Sequence, residues 1–347
     1  MKVTIQKIAE AAGVSRGTVD KVIHNRPGVS GQVRENVKRI ADELGYTPNK
    51  IAKALRSLDT PLSFAVIIPH ISNPYFERLK AGMDEAGRKY SNYGLDIQYY
   101  FSDGVNCEEL CSILEYLKGK KIDGLAIRGL QNETVEQHLS ELTAQSVPII
   151  TFDSDLPTSS RICFVGENHV QSGRIAASLL GKSMGGSGEA AVLIGSSNVR
   201  AHTLRSEGFS QAMEELYPDI KIVGISETLE QDVIVYDKTS QLLKEHPALS
   251  GIFNAAGCSA SAARALTDAQ KDRKVKLITY NFTPDIIELI KERIVDFTIG
   301  LDPRTQGSLT VETLFNYAFY QEAPPELYLK TPIYIGIEEN IDSFSDY

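Results

Sequence analysis

The sequence predicts an α/β protein with two unlike parts, a small all-α unit at the N-terminus and a larger body of parallel sheets flanked by helices. Three observations predict this. The chain has 347 residues, too many for one hydrophobic core. Residues 1–60 hold 11 basic and 6 acidic side chains, whereas the rest holds 25 and 39. After Pro61, short apolar runs alternate regularly with amphipathic stretches. A basic head that meets a polyanion and an acidic body that does not would divide charge in this way.

The head begins with the pattern of two short helices joined by a tight turn. Thr4 can cap a helix over Ile5–Ala12, whose apolar residues have the spacing of one buried face. Gly13 ends that helix, and Ser15 can cap a second one over Arg16–His24. Two helices joined in this way form a helix-turn-helix unit, whose second helix enters the major groove of DNA.

A third helix is predicted from Ser30 to a glycine stop at Gly45. Its inward residues share the three-and-four spacing of a buried stripe: Val33, Val37, Ile40, Ala41 and Leu44. A plain three-helix bundle with ordinary surface charges is the alternative to a DNA-binding unit at this point.

Polar residues on the outer side of the second helix are the candidates for reading DNA. Burial of its valines and isoleucine turns Arg16, Gly17 and Lys21 outward, and arginine and lysine can donate to guanine O6 and N7. The candidates for phosphate contacts are the nearby hydroxyl and amide side chains Ser15, Thr18 and Asn25.

The body alternates predicted strands with helical patterns, which is typical of parallel sheets covered on both faces. The predicted strands are 63–69, 95–100, 122–127, 147–152, 161–165, 189–194, 220–226, 250–254, 275–280 and 295–299. This number of strands leaves room for two sheets, and therefore for two lobes.

Ligands of open α/β sheets bind beyond the carboxyl ends of the strands, where this chain carries HISNPYF, FDSD and HTLRSEGF. Tyr75 and Phe76 could stack on the apolar face of a sugar ring, and Asp153 could accept hydrogen bonds from two hydroxyls. Further candidates are the polar side chains Asn73, Arg128, His202 and Arg205. For each charged residue, a solvated loop side chain is the competing interpretation.

Several classes of protein are disfavoured by composition. Apolar runs are far shorter than the roughly 20 residues of a membrane span, and the N-terminus lacks the apolar segment of a signal peptide, so a cytoplasmic protein without membrane contact is expected. The four cysteines match no zinc or disulfide framework, although Cys107 and Cys111 could share a helix face and bind a metal. We therefore predict no metal and no cofactor.

Enzyme motifs are weak. Gly181-Lys182-Ser183 resembles the end of a phosphate-binding loop, but position 176 is alanine and the segment follows a predicted helix. No GxSxG or HExxH motif occurs. Asp153 and Asp155 could form an acid/base pair, but ligand binding and capping suit their spacing better. We predict no enzymatic activity and no catalytic residues.

The segment from VTIQKIAEAAGVSRGTVDKV through LGYTPNKIAKALRS resembles the DNA-binding headpiece and hinge of the lac repressor family of bacterial regulators. The resemblance implies a homodimer on double-stranded DNA with a near-palindromic operator, and a hinge helix that forms on DNA. In relatives a hinge leucine pries apart the central base step, and Leu55 matches it. Together, the residues and the resemblance suggest these DNA contacts: Thr4, Ser15, Arg16, Gly17, Thr18, Lys21, Asn25, Asn49, Lys53 and Leu55. Gly17 departs from the family because it has no side chain with which to read a base.

Residues 62 to about 337 resemble the ribose-binding type of periplasmic sugar receptor, which forms the effector body of lac repressor relatives. The resemblance implies two lobes joined by three crossings and a small carbohydrate-like effector in the cleft between them. The implied domains are a headpiece (1–48), a hinge and linker (49–60) and an effector-binding and dimerisation domain (61–347). Within the last, lobe 1 is expected at 62–164 and 302–322, and lobe 2 at 165–300 and 328–347.

Four positions in the implied cleft depart from the family pattern: Thr203, Ala256-Gly257, Asn281 and Leu301. Relatives often carry arginine, asparagine-aspartate, aspartate and glutamine there. The expected effector is therefore less hydroxylated, differently charged or seated nearer lobe 1, with Asn281 retained as a candidate contact. A stand-alone sugar receptor or a sugar-processing enzyme is the alternative to a regulator, and the basic head favours the regulator.

Overall fold

The computed structural model describes residues 3–23, 28–44, 61–69, 74–271 and 274–345. The chain divides into two compact units, residues 1–60 and 61–347. Several predicted features lie outside the described residues: Asn25, Gly45, the hinge over 49–58 with Asn49, Lys53 and Leu55, and Asn73.

The head is a three-helix unit, as predicted. Its helices are α1 (Ile5–Ala12), α2 (Arg16–Ile23) and α3 (Gly31–Glu43). The α1 cap is made by Thr4, whose hydroxyl accepts from the Lys7 N–H, and by Gly13 in the left-handed region at φ 66°. Ser15 caps α2 by accepting from the Thr18 N–H at 3.0 Å.

The core of the head contains the inward residues predicted for all three helices, with one exception. Ile8, Val19, Val22 and Val37 are fully or almost fully buried. Leu44 is 41% exposed, so its predicted inward orientation is wrong. The core contribution of α3 ends at Ala41, and Leu44 lies just beyond the last helical residue, Glu43, so it does not continue the helical stripe.

Lobe 1 of the body is built on a six-stranded sheet with the order β11-β5-β4-β3-β1-β2. Its strands are β1 (Leu62–Pro69), β2 (Leu95–Ser102), β3 (Gly124–Arg128), β4 (Ile149–Phe152), β5 (Cys163–Gly166) and β11 (Tyr328–Lys330). Its helices are α4 (Pro74–Tyr90), α5 (Cys107–Lys118), α6 (Glu133–Ala144) and α12 (Pro303–Phe315). Short irregular helical segments follow at Ser91–Tyr93 and Asn316–Tyr320. The central strands are apolar and buried on both faces, as parallel sheets require.

Lobe 2 repeats this architecture with the strand order β12-β10-β9-β8-β6-β7. Its strands are β6 (Gly188–Ile194), β7 (Ile220–Glu227), β8 (Leu249–Asn254), β9 (Lys276–Tyr280), β10 (Phe297–Gly300) and β12 (Tyr334–Gly336). Its helices are α7 (His169–Ser183), α8 (Arg200–Leu216), α9 (Asp232–Glu245), α10 (Ser259–Asp268) and α11 (Pro284–Lys291), with a 3₁₀ turn at Ile341–Phe344. The edge strand β12 is antiparallel to β10, with Thr298 opposite Gly336.

The ten strands predicted for the body are present, with ends within two residues of the predicted positions. One lobe assignment is wrong, because residues 328–330 form β11 and pair with β5 in lobe 1. Tyr328 lies opposite Phe164, and only after Lys330 does the chain pass to β12 in lobe 2. The sequence of β11 is too short to show which sheet the strand joins, so its pairing with β5 is determined by the tertiary structure.

Helices α7 and α8 of lobe 2 pack with almost touching backbones. A Cβ on Gly173 would lie 1.9 Å from the Arg205 carbonyl oxygen, and one on Gly208 would lie 2.2 Å from that of Val170. Side chains at these glycines would push the helices apart. The close packing holds the buried residues of α8, including His202 and Arg205, at a defined place beside the cleft.

Candidate functional site

The segments at the carboxyl ends of the strands meet between the lobes and carry strained backbone. Asp153 follows β4 at φ 59°, Glu230 follows β7 at φ 54°, Cys258 follows β8 at φ 57° and Asn281 follows β9 at φ 72°. Non-glycine residues in the left-handed region cost of order 1–3 kcal/mol each and cluster at functional sites. The strain therefore marks the cleft as the candidate ligand site of the body.

Arg128 is the last residue of β3 and is buried, so the solvated loop position is wrong for it. Its Nε lies 2.7 Å from Asp153 Oδ2, although the N–H does not point at that oxygen, which makes the contact an ion pair rather than a directed hydrogen bond. One terminal nitrogen donates to the Gly104 carbonyl at 3.1 Å. Burial disfavours the charge, but Glu230 and Asp153 outweigh it and raise the pKa of Arg128.

Glu230 brings a carboxylate from lobe 2 to the same guanidinium. Its Oε2 lies 3.3 Å from an Arg128 terminal nitrogen, so the ion pair joins the two lobes. Space for the glutamate depends on Gly195, where a Cβ would lie 2.7 Å from Glu230 Cγ and 2.5 Å from His202 Cε1. The preceding Leu229 is also left-handed at φ 53°.

His202 lies on α8 beside this ion pair. Its Nδ1 accepts from the Ser196 N–H at 3.1 Å, which places the proton of the neutral ring on Nε2. That nitrogen faces Glu230 Oε1 at 3.8 Å. Burial, followed by the charges of Arg128 and Arg205, holds the pKa of His202 well below its usual value, so the ring is neutral near pH 7.

Tyr75 and Phe76 begin α4 and are both buried in the cleft wall. The Tyr75 hydroxyl donates to Gln306 Oε1, and burial, followed by the charge of Asp153, raises the pKa of the phenol well above its usual value. The Phe76 ring lies 5.3 Å from the Arg128 guanidinium carbon. The Phe76 face that was expected to stack on a ligand ring thus contacts the arginine.

Arg205, one helical turn after His202, makes a second buried ion pair with a different character. Two of its nitrogens lie 2.7 and 2.8 Å from Glu167 Oε1, and the third donates to the Ala255 carbonyl. The guanidinium carbon lies 4.0 Å from the centre of the Tyr280 ring. Burial raises the pKa of Glu167, but Arg205 and His169 outweigh it and hold the pKa at about 2. This pair ties the crossing after β5 to lobe 2.

The cleft contains an inner cavity and an outer cavity that adjoin each other. The inner one, of about 20 Å³, has room for about one water and is lined by Tyr75, Phe76, Arg128, Asp153, His202, Arg205, Glu230, Ala256, Gly257, Asn281 and Leu301. The outer one has about 360 Å³. Asn281 and Glu230 line both cavities, so the two cavities share part of their walls.

The structure brings seven predicted site residues to the walls of the inner cavity and adds Glu230, which was not predicted. Glu230 follows β7 at the edge where ligands of α/β folds bind, so strand position alone could have nominated it. Thr203, one of the departures from the family pattern, is not among the residues lining either cavity, and its hydroxyl donates to the Arg200 carbonyl. Ala256, Gly257 and Leu301 shape the inner wall without offering polar side chains.

Asp155 does not form an acid/base pair with Asp153. Its carboxylate accepts from Thr151 and from two nitrogens of Arg161, one of them at 2.6 Å. Cys107 and Cys111 lie on α5 and pack partly buried against the lobe 1 core. Within the described residues no cluster of three or more His, Cys, Asp or Glu side chains could hold a metal ion.

The head presents its predicted DNA-reading residues on the outside. Arg16, Gly17 and Lys21 on α2 are exposed, and the opposite face of the helix is buried through Val19 and Val22. The hydroxyls of Ser15 and Thr18 are 2.9 Å apart and serve the cap of α2. Among the described helices, none is long and apolar enough to cross a membrane.

Fold and cleft together define a two-lobed small-molecule-binding body in a chain that also carries a helix-turn-helix unit. Residues 64–322, about three quarters of the chain, match the family described as "Periplasmic binding protein domain", and the chain belongs to that family. Residues 4–49 match "Bacterial regulatory proteins, lacI family", which confirms the resemblance of the headpiece.

Curated relatives include transcriptional regulators. The chain is 32% identical to the HTH-type transcriptional regulator DegA of Bacillus subtilis (strain 168) over 216 residues, 62% of each protein. It is 31% identical to catabolite control protein A of Priestia megaterium over 150 residues, 43% of each. The matched parts span less than two thirds of these relatives.

Solved structures of sugar-binding proteins have the fold of the body. A solute-binding protein of Burkholderia graminis C4D1M in complex with D-arabinose has a TM-score of 0.76 and 26% identity, over 82% of this chain and 97% of that one. GanP, a glucose-galactose binding protein of Geobacillus stearothermophilus, has a TM-score of 0.75 and 23% identity, over 81% and 98%. The predicted fold class is confirmed.

Proposed function

We propose that this protein is a sequence-specific transcriptional regulator whose affinity for operator DNA is controlled by a small ligand bound between the lobes of its body. The observation that carries the proposal is the joining of two parts in one chain. One is a helix-turn-helix unit with exposed Arg16 and Lys21, and the other is a ligand-binding fold with charged, strained residues around its cleft.

In this proposal Arg16 and Lys21 of α2 read bases, since both are exposed and both can donate to guanine. Ser15, Thr18 and Asn25 set the register on phosphates. A homodimer places two heads on a near-palindromic operator in the cytoplasm, and Leu55 in the hinge opens the central base step. The dimer, the operator symmetry and the hinge role rest on the resemblance of the headpiece.

The ligand is a small hydroxylated molecule of the sugar class. Support comes from the fold shared with sugar-binding proteins, one of which was solved with D-arabinose. Further support comes from the hydrogen-bonding groups at the strand ends, Asp153, Arg128 and Asn281. A regulator of this kind needs no catalytic residue, and the curated relatives named above are regulators.

The role of Arg16 tests the proposal most directly. A preferred duplex is selected from random DNA with the full-length protein, and binding to that duplex and to single-base variants is measured by fluorescence anisotropy. Arg16→Ala should reduce the discrimination at one base position by about 1–3 kcal/mol, because it removes a bidentate contact to guanine.

The matched control is Arg39→Ala, which removes an exposed arginine paired with Glu43 on α3. It should leave the base preference intact. Equal weakening of all DNA sequences by Arg16→Ala would contradict base reading, and the absence of any preferred duplex for the wild-type protein would contradict the proposed function itself.

A further inference from the structure

The outer cavity of the cleft has the size of a small-molecule site. Its volume of about 360 Å³ falls in the range of roughly 300–1,000 Å³ found for such sites. Pro74 contributes from lobe 1, and the other lining residues come from the strand ends and helix starts of lobe 2. The cavity adjoins the inner one through Glu230, Gly257 and Asn281.

The ionic side chains that line this cavity are all acidic among the residues described. They are Glu230, Asp232 and Asp285. Asp232 accepts from the Ser261 hydroxyl at 2.7 Å, a neutral donor that supplies no positive charge. Within the described part of the chain, no arginine or lysine lies within ion-pair distance of Asp232 or Asp285.

Among these three acids Glu230 has a buried side chain, whereas Asp232 and Asp285 are exposed. The Glu230 side chain is only 6% exposed, and its single arginine contact uses Oε2 at the long distance of 3.3 Å. The other oxygen, Oε1, lies 3.8 Å from His202 Nε2, too far for a hydrogen bond. Glu230 thus presents a carboxylate oxygen without a hydrogen bond on a side chain that is almost fully buried and lines the cavity, and this oxygen can accept a hydrogen bond from a ligand.

The thiol of Cys258, in the wall of the same cavity, lies close to these carboxylates. Burial, followed by the carboxylates of Asp232 and Glu230, raises its pKa to about 12. Polar groups that can bind hydroxyls stand beside the carboxylates, namely Ser259, Asn281 and Thr283. The lining thus combines acceptors for a cation with partners for several hydroxyl groups.

We propose that the ligand of this cleft is a protonated amino sugar, whose ammonium group is held by Glu230 with Asp232 and Asp285 and whose hydroxyls bind the neighbouring polar residues. This inference rests on the proposed function and specifies its ligand class. A sugar phosphate or sugar acid would meet like charge in this cavity, and a neutral sugar would offer the three carboxylates no positive charge.

The test is binding of a matched set of sugars to the full-length protein by isothermal titration calorimetry. The probes are D-glucosamine, D-galactosamine and D-mannosamine, their neutral parent sugars, their N-acetyl derivatives and the corresponding uronates. N-acetylation removes the charge and keeps the ring, so the comparison isolates the ammonium group. At least one amino sugar should bind about tenfold more tightly than its parent and its N-acetyl form.

Two variants connect the selectivity to the carboxylates. Glu230→Gln and Asp285→Asn should each reduce the preference for the amino sugar by about tenfold while affecting the neutral parent less. The control is Glu227→Gln, which removes an exposed carboxylate at the end of β7 that accepts from the Ser197 N–H and does not line the cavity. It should keep the wild-type selectivity.

Equal or tighter binding of a neutral sugar or a uronate would overturn the proposal. Failure of all three amino sugars to bind at millimolar concentration would also overturn it. Selective operator binding by the same samples, measured in parallel, separates the outcomes. If it persists, only the ligand class is wrong; if it is absent, the proposed function fails.

Discussion

Two buried arginines line the inner cavity, Arg128 from lobe 1 and Arg205 from lobe 2, and they differ in the partners that hold them. Arg205 binds Glu167 with two nitrogens at 2.7 and 2.8 Å and also donates to a backbone carbonyl. Arg128 has Asp153 at 2.7 Å without a directed N–H and Glu230 at 3.3 Å across the lobe boundary. Both guanidinium groups lie near an aromatic ring.

The backbone of the carboxylates that pair with the two arginines also differs. Glu167, which follows β5, is not among the described residues with positive φ, whereas Asp153 and Glu230 both have left-handed backbone. Tight pairing on relaxed backbone indicates a structural ion pair. Loose pairing on strained backbone, beside two cavities, indicates groups whose partners can be exchanged for a ligand. Burial of a charged side chain alone therefore does not distinguish a structural residue from a ligand-binding one.

The largest expected effect is on the tight pair. Glu167→Ala should lower the free energy of unfolding by about 3–5 kcal/mol, because it leaves the buried Arg205 charge without its carboxylate. Urea unfolding of the full-length protein, followed by far-UV circular dichroism, measures this change.

The control for this variant is Glu215→Ala, which breaks the exposed pair with Arg174 at the surface of lobe 2. Its unfolding curve should overlay that of the wild type, because exposed pairs contribute little. A Glu167→Ala protein as stable as the control would show that Arg205 does not depend on its partner and would remove the contrast between the arginines.

A smaller effect is expected for the loose pair. Glu230→Ala should lower the free energy of unfolding by about 1–2 kcal/mol, because Arg128 keeps Asp153 and the Gly104 carbonyl as partners. The same urea experiment applies. A loss as large as that of Glu167→Ala would show that the bond across the lobes is structural, and would count against its exchange for a ligand.

The smallest expected effect is a pH dependence that belongs to the cleft. Burial and the two arginines lower the pKa of His202 in the folded protein, so below about pH 6.5 the unfolded chain binds a proton that the folded ring rejects. His202 should therefore make the folded state less stable as the pH falls from 7.5 to 5.0. Glu230 and Asp153 face the ring and oppose this shift without reversing it.

Urea midpoints of the wild type and of His202→Gln at the two pH values measure this contribution. The variant should lose less stability than the wild type on acidification. His246→Gln is the control, because it removes a partly exposed imidazole that lies outside the cleft and is not packed between arginines. An identical loss in the wild type and in His202→Gln would mean that His202 is already protonated or is not protected by its surroundings.

Part of the cleft could be predicted from the ends of strands. Arg128 and Asp153 were candidates because they follow strands, His202 because it lies near the start of a helix, and Asn281 through the family resemblance. All four line the inner cavity. Glu230 obeys the same rule but lies in no motif that draws attention to it. Leu44 shows the opposite failure, because its spacing fits the buried stripe although helix α3 ends one residue before it, at Glu43.

What the sequence by itself determined is the set of local elements and their types. Apolar periodicity, capping residues and the alternation of strands and helices are short-range properties, and for this reason the three helices of the head and the ten main strands of the body could be located from them.

Only the tertiary structure decided which charges meet. Arg128 and Glu230 are 102 positions apart and come from different lobes, and Arg205 finds Glu167 across 38 positions. The same is true of residues 328–330, which belong to lobe 1 because they pair with a strand that lies more than 160 positions earlier in the sequence. Such contacts depend on how two packed sheets are brought together, because the energy of a buried charge depends on its distance to a partner in space and not on its position in the chain.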